Sequence, residues 1–402
     1  MYNAVQSWYP PEGDYEQYIR RAAWAGYRVF SFWLYWRHLE PSEGSYDMGV
    51  VERVIELAER YDMKLDIVWA GVDFCDHLDK RFAPDWLLAR HDWHLQAEDG
   101  CVRADGYDMG EACAFDPRNG LLFEKEAAVL RRLFGYIAWR DVNRRIVMIQ
   151  VENEINIQGY HGVKDCVLRY VDDLAGVIKA AYPIDTRVNI LSRVMDGQID
   201  QMRNIDAQGV DTYDPRLSVT RRAILDGRNT KVRYIAENGG YENTTAHMVT
   251  ALAAGGFYNL FRIDHDTVWD KPGVYGRDWE ILPHTLRIKS LNEAMNRKAA
   301  IVAAAPRESM LDFNCERDDS PAQVYEAQKN VEGREVGFQT ADGAVGLAVR
   351  RGGDPLLLRR RVLRVHGGRE SIPVHGRRGS GNTGGRWKWL KTSSETCRCT
   401  RF

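Results

Sequence analysis

No apolar run in these 402 residues approaches the ~18–20 residues that a membrane-spanning helix needs, so no membrane partner is expected. An excess of one charge sign is missing too. The 55 Lys and Arg face 57 Asp and Glu for a net charge of -2, which argues against nucleic acid as the partner of the whole chain. The seven cysteines contain no C-x-x-C pair of the kind that binds zinc, and their number is odd, so mostly reduced thiols are expected. The start, MYNAVQSWYPPEGDY, has neither the basic stretch nor the apolar core of a signal peptide, which points to the cytoplasm. No Gly-rich phosphate turn follows the first strand-like run, no H-E-x-x-H spacing occurs, and no apolar strand ends in Lys. Nucleotide, metal and Schiff-base chemistries therefore lack their signatures, and neither a cofactor nor a metal is expected.

What the sequence does contain is enough apolar material for a core: 44% hydrophobic and 11% aromatic residues rule out a disordered chain. Near-continuous apolar runs at 27–36, 64–71, 145–151, 187–191, 232–237 and 256–263 read as strands covered on both faces. Weaker candidates lie at 3–7 and 207–213. Helical periodicity fills 16–24, 50–61, 121–138, 166–181, 244–254 and 284–300 between them. The alternation predicts an α/β fold, a (β/α)8 TIM barrel over 1–304, with a doubly wound sheet as the competing arrangement. Residues 305–349 read as a short, truncated β-rich module. Residues 350–402 form an Arg/Gly-rich tail, with 14 Lys and Arg against 3 Asp and Glu, and are expected to be poorly ordered.

Barrel enzymes carry their reacting groups at the C-terminal ends of strands, so acids there are the ones to examine. The stretch from Ile146 to Glu154 (IVMIQVENE) runs from apolar residues into Gln150, Glu152, Asn153 and Glu154. Carboxylates at the end of a buried strand are costly and need a reason. A second acid, Glu237, ends the run from Val232 (VRYIAE) just before Asn238, Gly239 and Gly240. Two carboxyls converging on one cleft are the minimum apparatus for splitting a glycosidic bond: one protonates the leaving oxygen, the other attacks or activates water. Glu152 shares strand parity with Glu154, so both side chains can point inward, and a supporting role behind the reacting acids or a barrel-interior ion pair is expected of Glu152. Asp264, His265 and Asp266 read as a salt bridge or a substrate contact rather than a metal site.

The QVENE motif ending at Glu154 resembles the acid/base signature of clan A glycoside hydrolases, notably the family 35 β-galactosidases. The stretch from Trp36 to Asp47 is similar to the W-x-x-L-E-P-x-E-G-x-Y-D stretch of family 42 β-galactosidases. Further likeness lies at Phe74-Cys75, at 83–88, at Val210–Tyr213 and at Asp264–Trp269, so that the resemblance covers roughly residues 2–300. It implies a retaining glycosidase with Glu154 as general acid/base and Glu237 as nucleophile. Asn153 would then bond the sugar 2-hydroxyl. Tyr213 would hold Glu237 and keep it ionised, and Trp36 and Trp269 would offer apolar faces to the pyranose. Family 35 reads Cys-Ala-Glu after strand three, whereas this chain has Cys75-Asp76-His77, so Asp76 or His77 stands where the galactose-holding Glu would be. The implied substrate is a terminal β-linked sugar, β-galactoside first, with glucoside, mannoside and arabinoside as alternatives. A catalytically impaired or truncated carbohydrate-binding barrel is the competing class.

Overall fold

The computed structural model describes residues 3–7 and most of 14–303, leaving out 73, 75–81, 98–99, 102–112, 157–161, 226–230, 240–243, 268–269 and 271. Beyond 303 it describes the strands Met310–Asn314, Tyr325–Val331, Arg334–Thr340, Val345–Arg351, Val362–Leu363, Arg386–Lys391 and Cys397–Thr400.

Eight parallel strands close into a barrel: β1 (Asn3–Ser7), β2 (Val29–Tyr35), β3 (Lys64–Ala70), β4 (Ile146–Val151), β5 (Asp185–Leu191), β6 (Ala207–Asp211), β7 (Val232–Glu237) and β8 (Phe257–Phe261). Each pairs with its sequence neighbour, and β1 closes against β8 in the register Ala4 to Asn259 and Gln6 to Phe261. The helices α1 (Tyr15–Trp24), α2 (Gly49–Arg60), α3 (Gly120–Arg140), α4 (Lys164–Ala181), α5 (Leu217–Leu225), α6 (Thr244–Ala253) and α7 (Pro283–Ala303) form the outer layer. The doubly wound alternative is thereby set aside. The connection between β5 and β6 holds only a 3-10 turn, Ile199–Gln201, so that one unit lacks its helix. Among the described residues no helix is long and apolar enough to cross a membrane.

Local chemistry explains the starts and stops. The side chain of Asn119 accepts from the backbone N–H groups of Leu121 and Leu122, capping α3 where four donors lack partners. Gly26 takes φ 79° as the chain leaves α1 for β2, a conformation that costs a glycine little.

The outward faces of the strands make the main hydrophobic core. Val5, Phe30, Phe32, Leu65, Ile67, Ile149, Val188, Ile190 and Ile235 pack there beneath helical residues such as Val54, Leu130, Leu133 and Val171. The barrel interior differs from the branched aliphatic packing common in this fold. Its middle layer is polar: Gln6, Ser31, Asp66, Gln150, Arg187 and Asn259 are all buried. The Arg187 guanidinium donates to Asp66 Oδ1 (3.1 Å) and Oδ2 (2.7 Å), and it also donates to Gln150 and to the Tyr234 hydroxyl (2.8 Å). Below this layer the Tyr234 and Phe257 rings stack at 4.3 Å. A Cβ on Gly209 would lie 2.3 Å from Tyr234 Cζ, so the ring needs glycine there. Above it, Trp33, Tyr35, Val68, Ala70, Phe82 and Phe261 form a separate apolar cluster at the C-terminal mouth.

On α6, His247 is fully buried between Pro215 O (3.1 Å) and the Thr220 hydroxyl (2.7 Å). Burial pushes its pKa down from 6.5 to about 4, so the folded state holds it neutral. The contribution of a depressed histidine is complete above the unfolded value and is lost as pH falls toward the folded one. Acidification from pH 6.5 to below 4 should therefore cost about 3 kcal/mol through this group alone. In His247→Gln, which can still donate to Pro215, the urea midpoint should fall less between pH 7 and pH 4.5 than in wild type. Parallel declines in the two proteins would rule this out.

After the barrel, the strands form two sheets. One has the order Met310–Asn314, Val345–Arg351, Arg386–Lys391, Val362–Leu363; the other has Tyr325–Val331, Arg334–Thr340, Cys397–Thr400. Strand pairing therefore crosses residue 350, and 386–391 and 397–400, within the stretch expected to be poorly ordered, are paired strands. Cys113 is disulfide-bonded, an exception to the mostly reduced thiols expected, while Cys166 is free and half-buried.

Candidate active site

The end of β4 departs from extended geometry. Glu152 has φ 61° and Glu154 φ 39°, both in the left-handed region that non-glycine residues rarely occupy. The strict alternation that put Glu152 and Glu154 on one side is broken there, so Glu152 does not follow the inward parity expected of it. Its Oε1 instead accepts from the backbone N–H groups of Gly71 (2.9 Å) and Val72 (3.2 Å) at the end of β3. It also hydrogen-bonds Glu126 of α3, whose own oxygens accept from Trp69 Nε1 and the Tyr170 hydroxyl, both at 2.7 Å. Two carboxyls can share a hydrogen bond only if one is protonated, and burial raises Glu126 above the usual carboxylate range. A Cβ on Gly71 would lie 2.1 Å from Glu126 Oε1, so no other residue fits over this pair.

Glu154 lies on the other side of the wall and is 2% exposed. Its N–H donates to Asn189 Oδ1 (2.9 Å) from β5. Asn189 Nδ2 in turn donates to Asn153 Oδ1 (2.9 Å) and Asp211 Oδ2 (2.6 Å). Gln150 Nε2 donates to the same Asn153 oxygen at 2.9 Å. Both bonds fall on Oδ1, which orients the Asn153 amide with its nitrogen turned away from Gln150 and Asn189.

Glu237 ends β7 and is 6% exposed. Gln6 Nε2 donates to its Oε1 (2.7 Å), and the Tyr213 hydroxyl donates to its Oε2. The Tyr213 hydroxyl is held well above the usual phenol range by burial and by the nearby charges of Glu237, Asp211 and Glu154. Its ring, 41% exposed, opens the site to solvent and meets Phe261 edge-on at 6.0 Å. Asp211 ends β6, its carboxyl interacting with that of Glu154 and its backbone paired in register with Glu237. Glu154, Asp211, Tyr213 and Glu237 thus form one cluster at the barrel mouth.

Of the residues singled out in the sequence, Glu154, Asn153, Glu237 and Tyr213 come together here. Trp36 does not offer a sugar-facing surface. It is fully buried in the main core, edge-on to Trp86, with Nε1 donating to Glu40 Oε2 (2.9 Å). Asp76, His77 and Trp269 lie outside the described residues. Asp264 is ion-paired with Arg262 (2.6 Å) and accepts from the Tyr18 hydroxyl (3.2 Å). Among the described residues no group of three His, Cys, Asp or Glu is placed to hold a metal ion. Two features were missed in the sequence. Asp211 stood unremarked beside Tyr213, although it too ends an apolar strand. The mouth cluster around Phe261 takes alternate residues from the ends of β2 (Trp33, Tyr35) and β3 (Val68, Ala70), a spacing that the near-continuous apolar runs conceal.

The comparisons with known proteins agree with this architecture. The family model for glycoside hydrolase family 42, described as beta-galactosidase, matches residues 6–175. A comparison with curated proteins gives no match. Among solved structures, the polyextremophilic beta-galactosidase from the Antarctic haloarchaeon Halorubrum lacusprofundi superposes with a TM-score of 0.53 at 14% identity, covering 74% of this chain and 58% of that one. The beta-galactosidase from the psychrophilic Marinomonas ef1 gives 0.57 at 12% identity, covering 76% and 62%. The chain therefore spans about three-fifths of the length of these two structures, and at this identity they speak for the fold alone. Residues 6–175 match the family 42 glycoside hydrolase model, the described strands close into a (β/α)8 barrel, and the resemblance to clan A is thereby supported.

Proposed function

We propose that this barrel hydrolyses terminal β-linked sugars, β-galactosides first among them, with retention of configuration. The observation that carries the reading is the juxtaposition of Glu154 and Glu237 at the ends of β4 and β7, with the Tyr213 hydroxyl on Glu237 and the Asp211 carboxyl between the two strand ends. Glu237 attacks the anomeric carbon while Glu154 gives its proton to the leaving oxygen, and a glycosyl ester forms on Glu237. Glu154 then takes a proton from water, which cleaves the ester. Gln6 and Tyr213, one donor to each oxygen of Glu237, orient the attacking carboxylate. The oriented amide of Asn153 donates to the sugar 2-hydroxyl.

A panel of aryl glycosides followed by trapping with a 2-fluoro sugar tests this directly, and the label should appear on Glu237. In Glu154→Ala, turnover of an alkyl or sugar aglycone should collapse, while a dinitrophenyl glycoside, which needs no proton, should still be cleaved to the ester. Equal rates for Glu154→Ala and wild type on the poor leaving group would refute the assignment.

A further inference from the structure

Among the described residues three carboxyls, those of Glu154, Asp211 and Glu237, meet at the ends of β4, β6 and β7, and Asp211 has no ion-paired cation. Asp211 is 2% exposed, and among the described residues no guanidinium or ammonium is hydrogen-bonded to it. The interior cation, Arg187, is committed to Asp66 one layer below. Asp211 faces Glu154 from β4, Asn189 from β5, Glu237 and Tyr234 from β7, and Tyr213 from its own strand end. Asn189 fixes the geometry, since one side chain holds the Glu154 backbone, the Asn153 amide and the Asp211 carboxyl. Across this shared anchor the Asp211 and Glu154 carboxyls interact directly, and carboxyls in that relation cannot both be ionised without strong repulsion.

We propose that Asp211 is a positioning residue for the acid/base: its carboxyl and that of Glu154 hold a single proton between them. The inference rests on the roles given to Glu154 and Glu237 above. Burial, and then the charges of Glu237 and Glu154, hold Asp211 well above the usual carboxylate range, as a proton-sharing partner requires. The proton balance follows. In the free enzyme Glu237 carries one negative charge and the Glu154/Asp211 pair carries one. When Glu154 protonates the leaving oxygen, the pair gains a charge while Glu237 loses its own in the ester, so the total in the cleft is unchanged. Water attack then returns a proton to the pair and an anion to Glu237. Asp211 thus keeps a transferable proton at the acid/base position and takes part in returning it there when the ester is cleaved.

The test is Asp211→Asn, which keeps the shape and the bond to Asn189, removes the like charge, and donates to ionised Glu154. The alkaline limb of kcat/KM should move down by about one pH unit or more. At pH 7, kcat/KM on an alkyl β-galactoside should fall at least tenfold and recover as pH is lowered, with little change on a dinitrophenyl β-galactoside. A purely structural residue would lower activity at every pH and on both substrates. An alkaline limb that stays in place in a variant with wild-type thermal stability overturns the proposal. A readout independent of turnover is the infrared difference spectrum of wild type minus Asp211→Asn at pH 7, which should contain the C=O stretch of a protonated carboxyl. If wild type cleaves no glycoside but the difference band is present, the catalytic roles fail and the shared proton stands. If the band is absent, the shared proton fails whatever the activity.

Discussion

Replacing Glu237 with Ala should lower kcat on aryl β-galactosides by a factor on the order of 10⁴, as expected when the nucleophile of a coupled set is removed. The fold should survive, because Glu237 lies at the mouth and its partners Gln6 and Tyr213 are neutral donors with solvent or other polar groups nearby. Adding azide turns the loss into a diagnosis. In Glu237→Ala the small anion enters the space vacated by the carboxylate and attacks from that side, giving a glycosyl azide of inverted configuration. In Glu154→Ala azide attacks the ester from the opposite side, and the product keeps the β configuration. The two azides, separated by their anomeric proton couplings, assign the roles of the two glutamates without any further variant. Residual activity above a tenth of wild type in Glu237→Ala, or β azide from that variant, would remove it from the mechanism.

The second large effect concerns stability. Arg187 and Asp66 are each 1% exposed, and the guanidinium grips both carboxyl oxygens. Burial alone would lower the arginine pKa, but the Asp66 and Tyr234 oxygens outweigh it, and the group stays charged above its ordinary range. Arg187→Met takes the guanidinium from Asp66 and leaves it, among the described residues, the Ser31 hydroxyl (2.6 Å) as its side-chain donor. Breaking such a pair costs about 3–5 kcal/mol. The double variant Arg187→Met/Asp66→Asn removes both charges and should regain a substantial part of that loss. Chemical denaturation of the two variants and of Asp66→Asn gives the coupling energy. A double variant no more stable than Arg187→Met would show that the charge pair is not the source of the effect.

Much of this was legible because buried parallel strands leave an unmistakable trace. An apolar run that ends abruptly in Glu154 or Glu237 places the acid at the barrel mouth before any coordinates exist. The misreadings have separate physical origins. Parity failed for Glu152 because it assumes extended backbone, and the left-handed φ at 152 turns the side chain out to meet Glu126. Glu126 itself sits in the middle of an amphipathic helix, where a glutamate ordinarily faces water. Trp36 was assigned to the cleft because its motif follows β2, but the chain coils there into the helical turn Trp36–Leu39, which carries the indole inward to Glu40. The polar layer inside the barrel was readable in principle, since Ser31, Asp66, Gln150, Arg187 and Asn259 each interrupt an apolar strand. What the linear order hides is that these interruptions fall at one height.

That shared height has a practical consequence for anyone wishing to toughen this protein. Glu237 is joined through Gln6, Asn259 and Ser31 to Asp66, and onward through Arg187, Gln150 and Asn153 to the Asn189 that holds Glu154. Filling the lumen with aliphatic side chains, the obvious route to a more heat-resistant barrel, would cut the line that keeps Glu154 and Glu237, the two glutamates proposed to react, in register. Gains in robustness have to be sought in the shell between strands and helices, where Phe30, Ile67, Leu133 and their neighbours can be exchanged without disturbing the chemistry.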